Sequence, residues 1–266
     1  MKILALPLPY STPPDIWLPH RDAFGWPHGA EYDSFKKART IRLSTRSTFR
    51  GHKFPRRFEA LSMNEMRPLF AFGFNPYVVD TRDQYPVYDA SAFNNAVLRG
   101  KRMPVSSVMT IDIVLTVVLP PDNRIHYHGI SIKDANDVLS PATQRRHERE
   151  QAAFHARGWT WELLRGNQFS KLAFSNHFMM YRCINKVDVF ALYEPSRHFA
   201  YALYKSSLRG TMDDVLERLA RRQRISLDAG YRLFGVAASF GFVTVNHSMP
   251  LRTDAPLHLI GINCDE

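Results

Sequence analysis

The chain has 266 residues, 45% of them hydrophobic, 23% charged and 12% aromatic, a make-up that excludes general disorder and predicts a folded protein of two unequal compact units. Its formal net charge of +10 and pI near 9.7 point to a polyanionic partner, nucleic acid first and an anionic membrane second. Two cysteines, Cys183 and Cys264, are too few for a disulfide framework or a thiolate zinc cluster, and a reducing cytosol is expected. The opening MKILALPLPY is interrupted by Pro7 and Pro9, and no stretch approaches the roughly 20 apolar residues that cross a bilayer, so neither secretion nor membrane spanning is expected.

Residues 1 to about 35 are rich in proline and aromatics without a sustained period, and read as an irregular arm laid on a domain. From Lys36 to Phe58 the composition turns basic, with Lys36, Lys37, Arg39, Arg42, Arg46, Arg50, Lys53, Arg56 and Arg57 and no acidic residue. Ser, Thr, Gly and His separate these bases, which suits an extended surface tracking phosphates, with Arg46, Arg50, Lys53, Arg56 and Arg57 as the DNA contacts; a solvated basic loop is the alternative. Ala60 to Phe72 begins as a helix that Pro68 breaks or kinks, and Asn75-Pro76 marks a turn.

The runs YVVD and YPVY read as strands, as does VMTIDIVLTVVL (Val108 to Leu119). Pro120 to Asn123 is a turn into IHYHGISIK (Ile125 to Lys133), so the two long runs form an antiparallel hairpin. A polar helix from about Ala142 to Arg157 ends at Gly158, and WTWELL suits one more strand. The simplest assembly is a mixed sheet with helices packed on it, α/β in class. In the last hundred residues, Met212 to Arg222 and Leu227 to Phe240 have helical spacing, and FVTVNH and PLHLIGI follow as a hairpin. That is a helix-turn-helix or winged-helix pattern. The division predicted is 1–168 and 169–266, with the boundary near Asn167 to Leu172.

Asp112 stands alone in an apolar strand, where burying a carboxylate is costly unless something pairs with it, and a divalent cation is a natural partner. Ser131 and Lys133 share one face of the next strand, and hairpin pairing can bring that face beside Asp112. Oxygen ligands next to a lysine suit Mg²⁺ or Mn²⁺ and the hydrolysis of phosphodiesters; a hydrogen-bonded core aspartate and a solvated strand-end lysine are the alternative. His126 and His128 also share a face, but no third zinc ligand lies at a recognisable spacing. His147 in HERE is not part of an HExxH, and neither a phosphate-binding GxxxxGK[ST] loop nor a GxSxG elbow occurs.

The string SMNE (Ser62 to Glu65), then FNPYVVDTRDQYP (Phe74 to Pro86), MTIDIVL with Asp112, and SIK ending at Lys133 resembles, block by block, the TnsA endonuclease family of Tn-seven-type bacterial transposons. The resemblance runs from about Arg46 to the end of the chain. It implies a restriction-endonuclease-like N-terminal domain, with Glu65, Asp112 and the Ile132 backbone carbonyl as ligands of Mg²⁺ (Mn²⁺ able to substitute) and Lys133 activating water. It also implies 5′-strand cuts at transposon-end DNA, a DDE transposase partner (TnsB) cutting the 3′ strands, an AAA+ regulator (TnsC) docked by a winged-helix-like C-terminal domain, and a place in the bacterial cytoplasm at the nucleoid. Ser131 departs from the longer Glu or Gln common two residues before the lysine, and would act through water. Glu150 on the following helix would compensate by approaching the metal or pairing with Lys133, or is a surface glutamate. A stand-alone restriction- or repair-type nuclease and a non-catalytic DNA-binding adaptor are the rival readings.

Overall fold

The computed structural model describes residues 1–40, 45–88 and 90–262. A short antiparallel hairpin of β1 (Ser47–Arg50) and β2 (Arg57–Ala60) leads into α1 (Met63–Gly73). The central sheet is then laid down by β3 (Val78–Tyr88), an excursion carrying α2 (Ala90–Leu98), β4 (Val108–Leu119), β5 (Arg124–Lys133), the crossover helix α3 (Pro141–His155) and β6 (Thr160–Arg165). The four strands lie in the order β3-β4-β5-β6; the first two pairings are antiparallel and the last is parallel, so the protein is a mixed α/β structure as expected.

Because both faces of this sheet are covered, β4 is apolar along most of its length instead of alternating. Ile113, Leu115 and Val117 join Ile130, Ile132 and Leu164 under Leu69 and Phe72 of α1. On the other face Ile111 and Val114 meet Phe154 of α3, Trp159, and Phe24 and Tyr32 from the N-terminal arm. Gly129 of β5 lets α3 come this close, since a Cβ there would stand 2.3 Å from the Phe154 ring. The predicted hairpin of β4 and β5 is present, turning at Pro120–Asn123 with Asn123 in the left-handed region (φ 52°).

Two local expectations change. YVVD and YPVY are the two ends of one strand, β3, joined through Gln84 at φ 49°. Pro68 does not end α1; the helix runs through it and forgoes one backbone bond.

After β6 come α4 (Lys171–Ile184) and α5 (Tyr193–Tyr204), which the sequence reading did not place, then α6 (Met212–Gln223), α7 (Leu227–Phe240) and a hairpin of β7 (Val243–Val245) with β8 (Leu259–Ile262). The short turn between α6 and α7 is made by Arg224 in the left-handed region (φ 56°), with the Ile225 N–H donating to the Ala220 carbonyl. Helices α4, α5 and α6 all contact α7. Their core also takes in Phe70 and Phe74, so α1 serves both the sheet and the C-terminal helices.

The N-terminal arm is irregular, as expected, but spans both parts. Tyr77 donates to the Pro7 carbonyl (2.6 Å), the Thr12 N–H donates to the Phe240 carbonyl (2.8 Å), and Tyr193 donates to the Thr12 carbonyl (2.7 Å). Among the described residues no helix is long and apolar enough to cross a membrane.

Candidate active site

Asp112 sits at a gap in its strand pairings, beyond the end of one ladder and at a skipped pair in the other. The β4–β5 ladder stops at Ile113 opposite Ile130, and past that point the Asp112 carboxylate takes the place of a backbone partner, its Oδ2 accepting the Ile132 N–H at 2.7 Å. On the other side the β3–β4 register pairs Asp83 with Ile113 and Tyr85 with Ile111, passing over Gln84 and Asp112. Gln84 is the residue of β3 with left-handed backbone, a conformation that costs a non-glycine residue energy and is kept only where its surroundings impose it. N–H and C=O of one strand residue point to the same side, so the Ile132 carbonyl also faces the gap at Asp112.

Glu65 reaches this gap from the first turn of α1. Ser62 caps the helix, its hydroxyl accepting the Glu65 N–H at 3.3 Å, and the Glu65 carboxylate turns back so that Oε2 accepts from the Leu61 N–H and the Gln84 side-chain amide, both at 2.9 Å. Asn64 donates to Asp134 (3.0 Å), which ties the start of α1 to the end of β5 next to Lys133. Gly166, after β6, leaves room for Asn64, whose Oδ1 would lie 2.6 Å from a Cβ there.

From the opposite layer, α3 brings Glu150. Its carboxylate is fully buried; one oxygen accepts from the Ser131 hydroxyl (2.6 Å) and the other from Arg146 (2.8 Å), which also donates to the Thr110 carbonyl (2.8 Å). Glu150 is therefore not a surface glutamate, and its partners are Ser131 and Arg146, not Lys133. The Lys133 ammonium makes no ion pair or hydrogen bond among the described residues, and its charge acts on Asp112.

The electrostatics follow from this convergence of acids. Burial, then the neighbouring charge of Asp112, pushes the Glu65 carboxyl from 4.5 up to about 8, against the pull of the Leu61 N–H and the Gln84 amide. Burial drives Asp112 up as well and Glu150 adds to it, while the Ile132 N–H, Arg146 and Lys133 oppose the shift. The two carboxyls lean toward holding protons because removal from water, more than any neighbouring charge, disfavours their ionised forms.

Among the described residues no group of three or more His, Cys, Asp and Glu side chains is arranged to hold a metal ion. Magnesium asks less of a protein, since one or two carboxylates with water completing the octahedron are usual for it. The donor set of Glu65, Asp112 and the Ile132 carbonyl, all hard oxygens in a cleft short of positive charge, fits such an ion. Ser131, expected as a water-linked ligand, has its hydroxyl committed to Glu150.

The five predicted DNA-contacting bases divide. Arg46, Arg50 and Arg57 are exposed on the β1–β2 hairpin; Arg46 precedes Ser47, which pairs with Ala60, and so stands at the end of the hairpin nearest α1 and the cleft. Lys53 and Arg56 do not belong to the surface. Lys53 is buried and donates to the Asn75 and Val78 carbonyls, and burial lowers its ammonium to about 7. Arg56 is buried in an ion pair with Asp83 (2.9 Å) and donates to the Thr81 carbonyl. Each is held by polar groups of β3, so a basic run in sequence became partly a set of internal struts. Arg42 lies outside the described residues.

The sequence reading missed Gln84, Arg146 and the role of Lys36, which donates to the Thr110 hydroxyl (2.7 Å) two residues from Asp112. The signal for Gln84 was the polar run DTRDQ inside a strand buried along nearly its whole length. For Arg146 it was the four-residue spacing to Glu150 on α3. His128, weighed as a zinc ligand, is satisfied by Thr160 (2.8 Å) and Glu162 (3.2 Å) instead. No protein-family model matches the chain, and no curated protein sequence matches it.

Proposed function

We propose that this chain is a divalent-metal-dependent DNA endonuclease of the TnsA kind, cutting 5′ strands at transposon ends in the bacterial cytoplasm. Its first part would be a restriction-endonuclease-like domain. The C-terminal helices and hairpin would be a winged-helix-like unit that docks an AAA+ regulator (TnsC), while a DDE transposase (TnsB) cuts the 3′ strands. The observation that carries this reading is the convergence on Asp112: acids from α1 and α3 and the free ammonium of Lys133 meet where the β4–β5 ladder ends and the β3–β4 ladder skips one pair.

In this reading Glu65, Asp112 and the Ile132 carbonyl would hold Mg²⁺, or Mn²⁺ in its place. When bound, the ion supplies a water of lowered pKa and neutralises charge building on the phosphate. Lys133 would orient the attacking water and stabilise by its charge the hydroxide that forms, while Gln84 fixes the Glu65 carboxylate and Glu150 holds Ser131 and Arg146 in place behind β5. A non-catalytic DNA-binding adaptor is the second reading, favoured by the tie of Ser131 to Glu150 and by the lack, among the described residues, of a third acid in metal-binding position.

The test is strand-resolved cleavage of transposon-end DNA by the chain assembled with its transposase and Mg²⁺. Asp112→Ala and Lys133→Ala are each expected to abolish 5′-strand cuts, a loss of a hundredfold or more, with 3′-strand cuts retained. Equal 5′ cutting by wild type and both variants would sink the assignment, and cutting by the isolated chain would favour a stand-alone nuclease.

A further inference from the structure

The excursion between β3 and β4 stands out from the sheet and exposes most of its described residues. Helix α2 has no described side chain that is buried, and its apolar residues lie open, with Phe93 45%, Val97 59% and Leu98 84% exposed. Phe93 meets the ring of Tyr88 at the strand end (centroids 5.5 Å), and Val105 beyond the helix is 73% exposed. Between Leu98 and Val105 come Arg99, Lys101 and Arg102, all exposed and none ion-paired among the described residues. From Ala90 to Ile111 the sequence has no acidic residue.

Its place in the fold gives this charge a direction. β3 ends and β4 begins at the same end of the sheet as the C-terminus of β5, so the excursion, Asp112 and Lys133 share one rim. From Val108 to Asp112 is four residues of strand, roughly 13 Å at about 3.3 Å per residue. Across the sheet, Arg165 ends β6 on that rim and Arg46 flanks the cleft from the β1–β2 hairpin. A band of cations, of which the Arg46 and Arg165 side chains bond only to backbone carbonyls among the described residues, thus brackets the cleft that holds Glu65, Asp112 and Lys133.

We propose that the α2 excursion is a duplex-DNA-gripping element, with Arg99, Lys101 and Arg102 contacting phosphates on the DNA beside the bond to be cut. This rests on the nuclease reading for which bond lies in the cleft, though not for the DNA contact itself. An anionic membrane is the weaker occupant, because the cations continue around the cleft instead of flanking the apolar residues of α2 alone.

The experiment is a titration of the full chain on a short duplex, in EDTA so that nothing is cut, over a range of KCl concentrations. Each phosphate contact contributes about 0.9 to the slope of log affinity against log salt. The Arg99→Ala/Lys101→Ala/Arg102→Ala variant is expected to lower that slope by about 2 to 3 and to weaken binding about tenfold or more at low salt. Lys101→Ala alone should lower it by about 1, and carries the test where the triple variant fails to fold. An unchanged slope in a folded variant overturns the proposal. So does loss of binding to phosphatidylserine vesicles with DNA binding intact, which would assign the excursion to a membrane. If Asp112→Ala leaves cleavage in Mg²⁺ unaltered the nuclease reading fails, while the salt slope of the α2 variants in EDTA still decides the role of α2.

Discussion

At pH 7 Glu65 holds a proton that a solvated glutamate would have lost, because burial and Asp112 raise its pKa to about 8. Between 4.5 and 8 the native state binds this proton and the unfolded chain does not. The Glu65 contribution to stability is therefore complete below about pH 4.5 and is lost as pH rises toward 8. In EDTA, Glu65→Gln is expected to raise the thermal unfolding midpoint by a few degrees relative to wild type at pH 8, and to leave it unchanged at pH 4. The substituted amide can still accept the Leu61 N–H, so the cap survives. A midpoint difference that is the same at both pH values would show that Glu65 is not held protonated. Gln84 belongs to the same scale: its left-handed backbone and its amide on Glu65 are one device, which couples the kink in β3 to the position of a carboxylate.

Among elements, the sheet depends on small details of approach. Gly129→Ala would drive a methyl into the Phe154 ring, in a core without slack, and overpacking of this kind costs about 1–3 kcal/mol. Urea unfolding should show that loss at unchanged m-value; a neutral result would mean that α3 can slide on the sheet. The same strands show what was legible beforehand. Val108 to Leu119, the Pro120–Asn123 turn and Ile125 to Lys133 announced the hairpin through apolar run, turn chemistry and length, and with it the nearness of Asp112 and Lys133. The break in pairing at Asp112 was hidden, since nothing in one sequence marks Gln84 as left-handed. The burial of Glu150, named beforehand as a ligand, a Lys133 partner or a surface residue, was hidden too, because α3 is polar along most of its length and the burial of one acid depends on partners from β4 and β5. Lys53 and Arg56 misled for the converse reason: charge in sequence does not reveal that β3 offers carbonyls and Asp83 to receive it.

Over the whole molecule, α4 and α5 went unread because their apolar positions are diluted by aromatics and polar residues, and their place is set by packing on α7, on Phe70 of α1 and on Phe74 just after it. This sharing of α1 gives the C-terminal helices a direct mechanical connection to the helix that carries Glu65. The net charge of +10 is also better located than composition alone could place it, with exposed Arg46 at the cleft end of the β1–β2 hairpin and exposed bases on the α2 excursion. The central claim is that Glu65 and Asp112 hold a divalent cation beside Lys133, and Mn²⁺ titration of the full chain followed by electron paramagnetic resonance tests it without any partner. The account predicts saturable Mn²⁺ binding that Asp112→Ala weakens about tenfold or more and that Lys133→Ala retains; equal Mn²⁺ affinity in wild type and Asp112→Ala would contradict it.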